Sequence, residues 1–242
     1  MKHIVYCLTF LFIMACQHAS VDTVAPEYPN WTVLRAPIDR PIVAVWGAID
    51  KTLLISTDFS LFRSTNRGRN WQEVVANSGV GLSGIVQYRD TLFAFAGLLN
   101  GAAGSYYANA DLFSTTDGQT WETYRRFNPS FEWAYKDGSI ARKLLARDPV
   151  TATNGDLYRI RQYYYKDTTK TTGYLETPGV IVNARRRINL PLLHQLSSVY
   201  FDPAGRLYIA GSDAVCGREQ QFSFCNSKNG RGVVYISKNP LP

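Results

Sequence analysis

The chain has 242 residues, 45% of them hydrophobic and 19% charged, with a formal net charge of +7. That balance excludes a disordered chain and allows either one large all-β domain or two small ones. Fifteen Tyr, twelve Phe and five Trp favour sheet and leave rings to spare for surfaces.

The first element is not part of the fold. Met1-Lys2-His3 is a short basic start, and the apolar run from Ile4 to Ala15 is shorter than the roughly 18 residues that a spanning helix needs. It predicts an export signal over residues 1–15. The run closes with Ile13-Met14-Ala15-Cys16, which resembles a bacterial lipobox. That resemblance implies cleavage before Cys16 and lipidation of its thiol and amine, with ordinary signal cleavage near Ala19 as the alternative. Removing residues 1–15 takes away one lysine and no acid, moving the net charge from +7 to +6. Residues 16–29 are then a tether, and 30–242 a single domain.

From residue 30 the sequence repeats. Lys51-Thr-Leu-Leu-Ile-Ser, Asp90-Thr-Leu-Phe-Ala-Phe, Gly155-Asp-Leu-Tyr-Arg-Ile and Gly205-Arg-Leu-Tyr-Ile-Ala each place a small polar turn before an apolar strand. Four such units predict strands at 42–48, 51–57, 59–64 and 70–76; at 83–89, 91–97, 110–115 and 120–125; at 143–148, 156–165, 173–177 and 179–185; and at 197–201, 206–211 and 232–237. About four strands per unit, with units of roughly 40 to 65 residues, point to a small β-propeller of four-stranded antiparallel blades. Four blades are expected, five if 123–142 holds part of another.

Within the first two units lie Leu61-Phe-Arg-Ser64-Thr-Asn66-Arg-Gly68-Arg-Asn-Trp71 and Leu112-Phe-Ser114-Thr-Thr116-Asp117-Gly118-Gln-Thr-Trp121. Each reads as a strand, a polar turn and a second strand opening with Trp, the pattern of a tight hairpin. These resemble the Asp-box, or bacterial neuraminidase repeat, Ser-x-Asp-x-Gly-x-x-Trp, of propellers such as sialidases. Asn66 stands in the aspartate place of the first copy; Thr116 does so in the second, with Asp117 one position late. The resemblance implies a structural role for Ser64, Asn66, Gly68, Trp71, Ser114, Asp117, Gly118 and Trp121. In the third unit a decayed copy is expected at Glu176-Thr-Pro-Gly179. The fourth unit lacks an outer strand. Tyr235-Ile-Ser-Lys-Asn239 looks like the front half of such a hairpin and Asn30-Trp31-Thr-Val-Leu like the back half, so the N-terminal strand is expected to close the ring.

In such a blade the loops between second and third strands, and between blades, share one face. The long insertions 98–109, 125–142, 166–172, 186–196 and 213–231 all fall there, and loops on a rigid scaffold are where sites are usually found. Tyr106, Tyr107, Trp133, Tyr135, Lys136, Arg142, Arg186 and Arg187 are the candidate ligand-binding residues, because rings beside cationic groups suit sugars, acidic glycans or a protein partner. Cys216 and Cys225 flank one insertion, and in an exported chain a disulfide between them would stabilise it by about 2–3 kcal/mol.

The sialidase resemblance implies an arginine triad, a Tyr-Glu nucleophile pair and an acidic proton donor. Leu34-Arg35-Ala36-Pro37 stands where the family has Arg-Ile-Pro, and Arg35 is a vestige of it on that reading. No carboxylate pair is assignable at glycosidase spacing. His194 is the one histidine in the folded domain, too little for a histidine metal centre or a Ser-His-Asp triad. No catalytic, metal or cofactor residue is therefore assigned. The expected function is a non-catalytic glycan- or protein-binding module on a bacterial envelope lipoprotein, with the membrane reached through its lipid and no nucleic-acid partner. The alternatives are a sialidase-like hydrolase and a scaffold for assembly of an envelope complex.

Overall fold

The computed structural model describes residues 28–79, 81–100, 106–123, 149–164, 175–192, 194–214 and 230–241. Every regular element among them is a strand: β1 Trp31–Arg35, β2 Ala44–Gly47, β3 Leu53–Ser56, β4 Leu61–Ser64, β5 Gln72–Val75, β6 Leu82–Tyr88, β7 Thr91–Asn100, β8 Tyr106–Ser114, β9 Glu122–Thr123, β10 Val150–Thr151, β11 Leu157–Tyr164, β12 Leu175–Val182, β13 Arg186–Ile188, β14 His194–Phe201, β15 Leu207–Ala214 and β16 Val233–Ser237. They form four antiparallel four-stranded sheets: β2-β3-β4-β5, β6-β7-β8-β9, β10-β11-β12-β13, and a fourth of β14-β15-β16-β1. This is a four-bladed β-propeller, and the N-terminal strand supplies the outer strand of the last blade.

The closing register confirms the expected join. Trp31 pairs with Ser237 and Arg35 with Val233, so the Ser237–Trp31 pair sits where the two repeat copies have Ser64 before Trp71 and Ser114 before Trp121. The first three blades each join their outer strands by a turn, whereas the fourth joins two distant segments through Lys238 N, which donates to Asn30 O at 3.0 Å.

The core follows from the stacking of blades. A blade's middle strands are covered on both faces, so they carry continuous apolar runs and not an alternation. β15 and β16 are buried at every position, while the outer strands β5 and β9 are mostly exposed and polar. Three apolar clusters result. Tyr158, Ile160, Val180 and Val182 meet Val199, Leu207 and Ile209 between the third and fourth blades. Leu34, Tyr208 and Val234 meet Ile42, Val45 and Leu53 between the fourth and first. Leu54 and Leu61 meet Leu82, Ile85 and Leu92 between the first and second.

The third blade departs from expectation. Where the sequence suggested a turn at Glu176 to Gly179, β12 runs unbroken to Val182, and the turn is Asn183-Ala184-Arg185, with φ of 50° and 58° at its first two residues. Asn tolerates that left-handed geometry, and its side chain adds local bonds: Asn183 Oδ1 accepts from Leu157 N at 2.8 Å. Pro-Gly does not force a turn here, because the β11–β12 pairing already shifts register between Arg161 and Tyr163 and absorbs it. The expected first strand of this blade, 143–148, lies outside the described residues.

Candidate functional site

The two ends of the ring differ. At one end lie the hairpin turns, and their polar groups are satisfied within the protein. Ser64 Oγ accepts from Gly68 N at 2.9 Å and Asn66 Oδ1 from Asn70 N at 2.9 Å. In the second copy Ser114 Oγ accepts from Gly118 N at 3.2 Å and Thr116 Oγ1 from Thr120 N at 2.9 Å. Thr116 thus does locally what a carboxylate or Asn66 does, which leaves Asp117 to reach across to the first blade, bonding Thr52 Oγ1 and pairing with Arg63 at 3.6 Å. Trp71 packs at the fourth–first junction and Trp121 at the first–second junction, where its Nε1 donates to Gly118 O at 3.0 Å. All eight residues of the two copies are accounted for by turn geometry and packing.

The same end carries a line of ion pairs. Asp202, buried, receives Arg206 Nε at 2.7 Å and the Tyr208 hydroxyl at 3.0 Å. Arg206 also bonds Asp50, which pairs with Arg67 at 3.3 Å. Tyr200 and Tyr208 accept backbone N–H groups of Gly47 and Ile49 from the first blade, and burial pushes the Tyr200 phenol up to about 12. These bonds stitch the fourth blade to the first.

At the opposite end, where the connections between blades emerge, the strand ends of the fourth blade gather Arg35, His194, Asp213, Arg231 and Tyr235. His194 is buried, with Nδ1 2.8 Å from Ser212 O and Nε2 2.7 Å from the Tyr235 hydroxyl. A carbonyl only accepts, so Nδ1 carries the proton and Nε2 accepts from Tyr235. Burial, reinforced by the nearby charge of Arg35 and opposed by the Ser212 and Asp213 contacts, holds the imidazole pKa below its ordinary value. Burial likewise pushes the Tyr235 phenol up. This pair is a neutral floor, further packed edge-on by Trp31 at 6.1 Å.

Above that floor, Arg35 Nη1 lies 3.8 Å from Asp213 Oδ1, and Arg35 Nε is buried with no hydrogen-bond partner. Arg231 Nε donates to Ala36 O at 3.0 Å, and burial together with the charge of Arg35 lowers its pKa. The two guanidinium groups share this end with Asp213, and the charges of Asp213 and Asp39 both act on Arg231. Asp213 supplies Arg35 with an internal carboxylate. Among the described residues, no three His, Cys, Asp or Glu side chains are grouped to share a metal ion.

Of the eight candidate ligand-binding residues taken from sequence, four lie outside the described residues and four stand on β8 and β13. Trp133, Tyr135, Lys136 and Arg142 lie outside the described residues, as do Cys16, Cys216 and Cys225. Tyr106 and Tyr107 stand on β8, opposite Asn100 and Leu99, so the hairpin is longer and its loop shorter than the insertion expected at 98–109. Arg186 and Arg187 are not in a loop; they are exposed on β13, the outer strand of the third blade. The insertion expected at 186–196 is reduced to 189–193 because β13 and β14 take its two ends. Asp213 and Arg231 carried no signal of their own, except that they bracket the longest insertion of the fourth unit.

The class defined by this geometry is a small four-bladed propeller with hydrogen-bonded hairpin turns at one end and Arg35, Asp213 and Arg231 gathered at the other. No protein-family model matches the chain, and no curated protein does. Two solved structures of YCF48 are similar to it, one bound to a D1 peptide and one from Cyanidioschyzon merolae. They overlap 87% and 84% of this chain and 73% of their own, with 15% and 10% identity and TM-scores of 0.30 and 0.28. An ancestral GH74 enzyme overlaps 80% of this chain and 26% of its own, with 19% identity and a TM-score of 0.19. TM-scores this low carry neither architecture nor function across, so both rest on this chain's own geometry.

Proposed function

We propose that this protein is a non-catalytic binding module held at a bacterial envelope by a lipid on Cys16, and that its loop-bearing end takes an acidic glycan or protein partner. The observation that carries the reading is the mouth of the fourth blade, where Arg35 and Arg231 stand together and Arg35 keeps an unpaired, buried Nε. A guanidinium grips a carboxylate with two parallel bonds, and the Arg35 Nε has no hydrogen-bond partner within the protein. The buried His194–Tyr235 pair beneath is already committed to its own hydrogen bonds and supplies no nucleophile.

The test is a glycan-array screen of residues 25–242, with product release followed for every hit and Arg231→Gln run beside it. Retention of intact acidic glycans that is lost in the variant, or capture of an acidic envelope protein lost in the same way, supports the reading. Turnover of a bound glycan would overturn it in favour of a hydrolase, and binding untouched by Arg231→Gln would remove the mouth from consideration. For the anchor, Cys16→Ser is expected to release the mature protein from the membrane fraction.

A further inference from the structure

The turn end of the ring carries more cations than its ion pairs absorb. Contacts between neighbouring blades bring all four sets of turns to this end. Asp117 of the second blade bonds Thr52 of the first, and Asp50 of the first pairs with Arg206 of the fourth. Tyr158, beside the third blade's turn, meets Phe201, beside the fourth's, with ring centroids 4.9 Å apart. The loops concerned are 28–30, 48–52, 65–71, 89–90, 115–121, 152–156, 183–185, 202–206 and 238–241, and each falls wholly among the described residues.

Seven lysines or arginines and five aspartates stand in these loops. Four of the aspartates are committed within the protein. Asp50 pairs with Arg206 and Arg67, Asp117 with Arg63, and Asp202 lies buried against Arg206 and Tyr208. Asp156 accepts from Asn154 and Asn183. Five exposed cations then remain: Lys51 and Arg69 on the first blade, Arg89 on the second, Arg185 on the third and Lys238 on the fourth. None of the five is in an ion pair with a described carboxylate, and every blade supplies at least one. Arg89 rests 5.4 Å from the centre of the Tyr88 ring, a contact that leaves its charge uncompensated. The acids left to oppose them are fewer: Asp90 in the same loops, and Asp22 and Glu27 in the tether.

The chain also enters the ring here. β1 starts at Trp31 opposite Ser237, and Lys238 N donates to Asn30 O at 3.0 Å, so the segment 16–29 joins the ring at the turn end and not at the loop-bearing end. The 14 residue steps from Cys16 to Asn30 reach at most about 50 Å. A lipid on Cys16 therefore ties the cation-bearing end to the bilayer. We infer that the turn end is a docking face for an anionic lipid surface, with the loop-bearing end turned away toward its partner. The orientation rests on the Cys16 anchor proposed above, the chemistry on the cations alone. Lysine and arginine donate to headgroup phosphates, and cations spread over four blades meet a broad charged surface together, where a compact anion would reach only one or two of them. Each basic residue at such a surface raises affinity about fivefold, and the attraction fades beyond a Debye length.

The experiment uses residues 17–242, which keep all sixteen strands and lack the lipid-bearing cysteine, in cosedimentation at low salt with vesicles of equal parts phosphatidylglycerol and phosphatidylcholine. The expected result is binding that pure phosphatidylcholine vesicles do not give and that high salt abolishes. Arg69→Glu, Arg185→Glu and Lys238→Glu, made singly on three blades, should each lose at least about fivefold, with a thermal melt to check that the fold is kept. Arg40→Glu makes the same change of charge on an exposed residue of the loop-bearing end and should stay within about twofold. The inference is overturned if anionic vesicles are not bound, if neutral vesicles are bound as well, or if Arg40→Glu loses as much as the other three, which would make the effect net charge alone. Anchor and docking face fail separately. A full-length Cys16→Ser chain that stays in the membrane fraction after a high-salt wash removes the anchor, whereas vesicle binding by residues 17–242 does not depend on it.

Discussion

Gly68 gives the sharpest test of how the ring is closed. It has φ +75°, and a Cβ built there would lie 2.6 Å from Leu34 Cδ1 and 2.7 Å from Cδ2. Leu34 belongs to the closing strand β1 and is buried with Ile42, Val234 and Ile236, so the first blade's turn rests on the last blade's outer strand. Gly68→Ala therefore carries two costs. The left-handed backbone costs about 1–2 kcal/mol for a residue with a Cβ, and pushing the Leu34 methyls into a packed core adds about 1–2 kcal/mol, the low end of overpacking because they are the mobile end of the side chain. Gly155 serves as the control: its φ is +89°, but nothing lies within 4 Å of its added Cβ, so Gly155→Ala should cost only the backbone term. Urea unfolding followed by tryptophan fluorescence should separate the two variants by about 1–2 kcal/mol, and that gap should vanish when both are made on Leu34→Ala. Equal losses on native Leu34, or a gap that survives Leu34→Ala, would refute the contact between the turn and the closing strand.

The remaining expectations concern buried polar groups. Ser237→Ala leaves Leu207 N, now bonded to Ser237 Oγ at 2.9 Å, without its acceptor, and a loss of about 1–3 kcal/mol in the same unfolding assay is expected. Asp202→Asn removes the buried charge facing Arg206 and Tyr208 while keeping an acceptor for Ala204 N and Arg206 N; breaking such a pair on one side should cost about 3–5 kcal/mol. Arg67→Ala, which breaks a pair exposed on both sides, should change stability by less than about 1 kcal/mol. His194 has a folded pKa below its unfolded one, so below about 6.5 the unfolded chain takes up a proton before the folded chain does. Its contribution is fully present above that pH and declines as pH falls toward the folded pKa. Because residues 25–242 contain no other histidine, His194→Gln should abolish that part of the pH dependence, and an unchanged profile would contradict the buried neutral imidazole.

What the sequence determined by itself is what local chemistry determines. The hairpins around Ser64 and Ser114 were legible because a serine, a left-handed glycine and a tryptophan at fixed spacing satisfy one turn's own backbone. The closing strand was legible for the same reason, since Asn30-Trp31 repeats the second half of that turn and Ser237 the first. The four-blade count followed from the four recurring apolar strands. The third blade's turn was misread because Pro178-Gly179 is a turn signal only when the neighbouring strand does not carry on past it, and β11 does. Tertiary structure alone decided where charge gathers. Arg35, Asp213 and Arg231 lie far apart in sequence and meet because β1 closes beside β16, which no local pattern encodes. Lys51, Arg69, Arg89, Arg185 and Lys238 come from four blades and share one end because the blades run their strands in the same sense around the ring. Turn chemistry is written within a few residues, whereas a site is written in the pairing of strands, and pairing is settled by the packing of the whole ring.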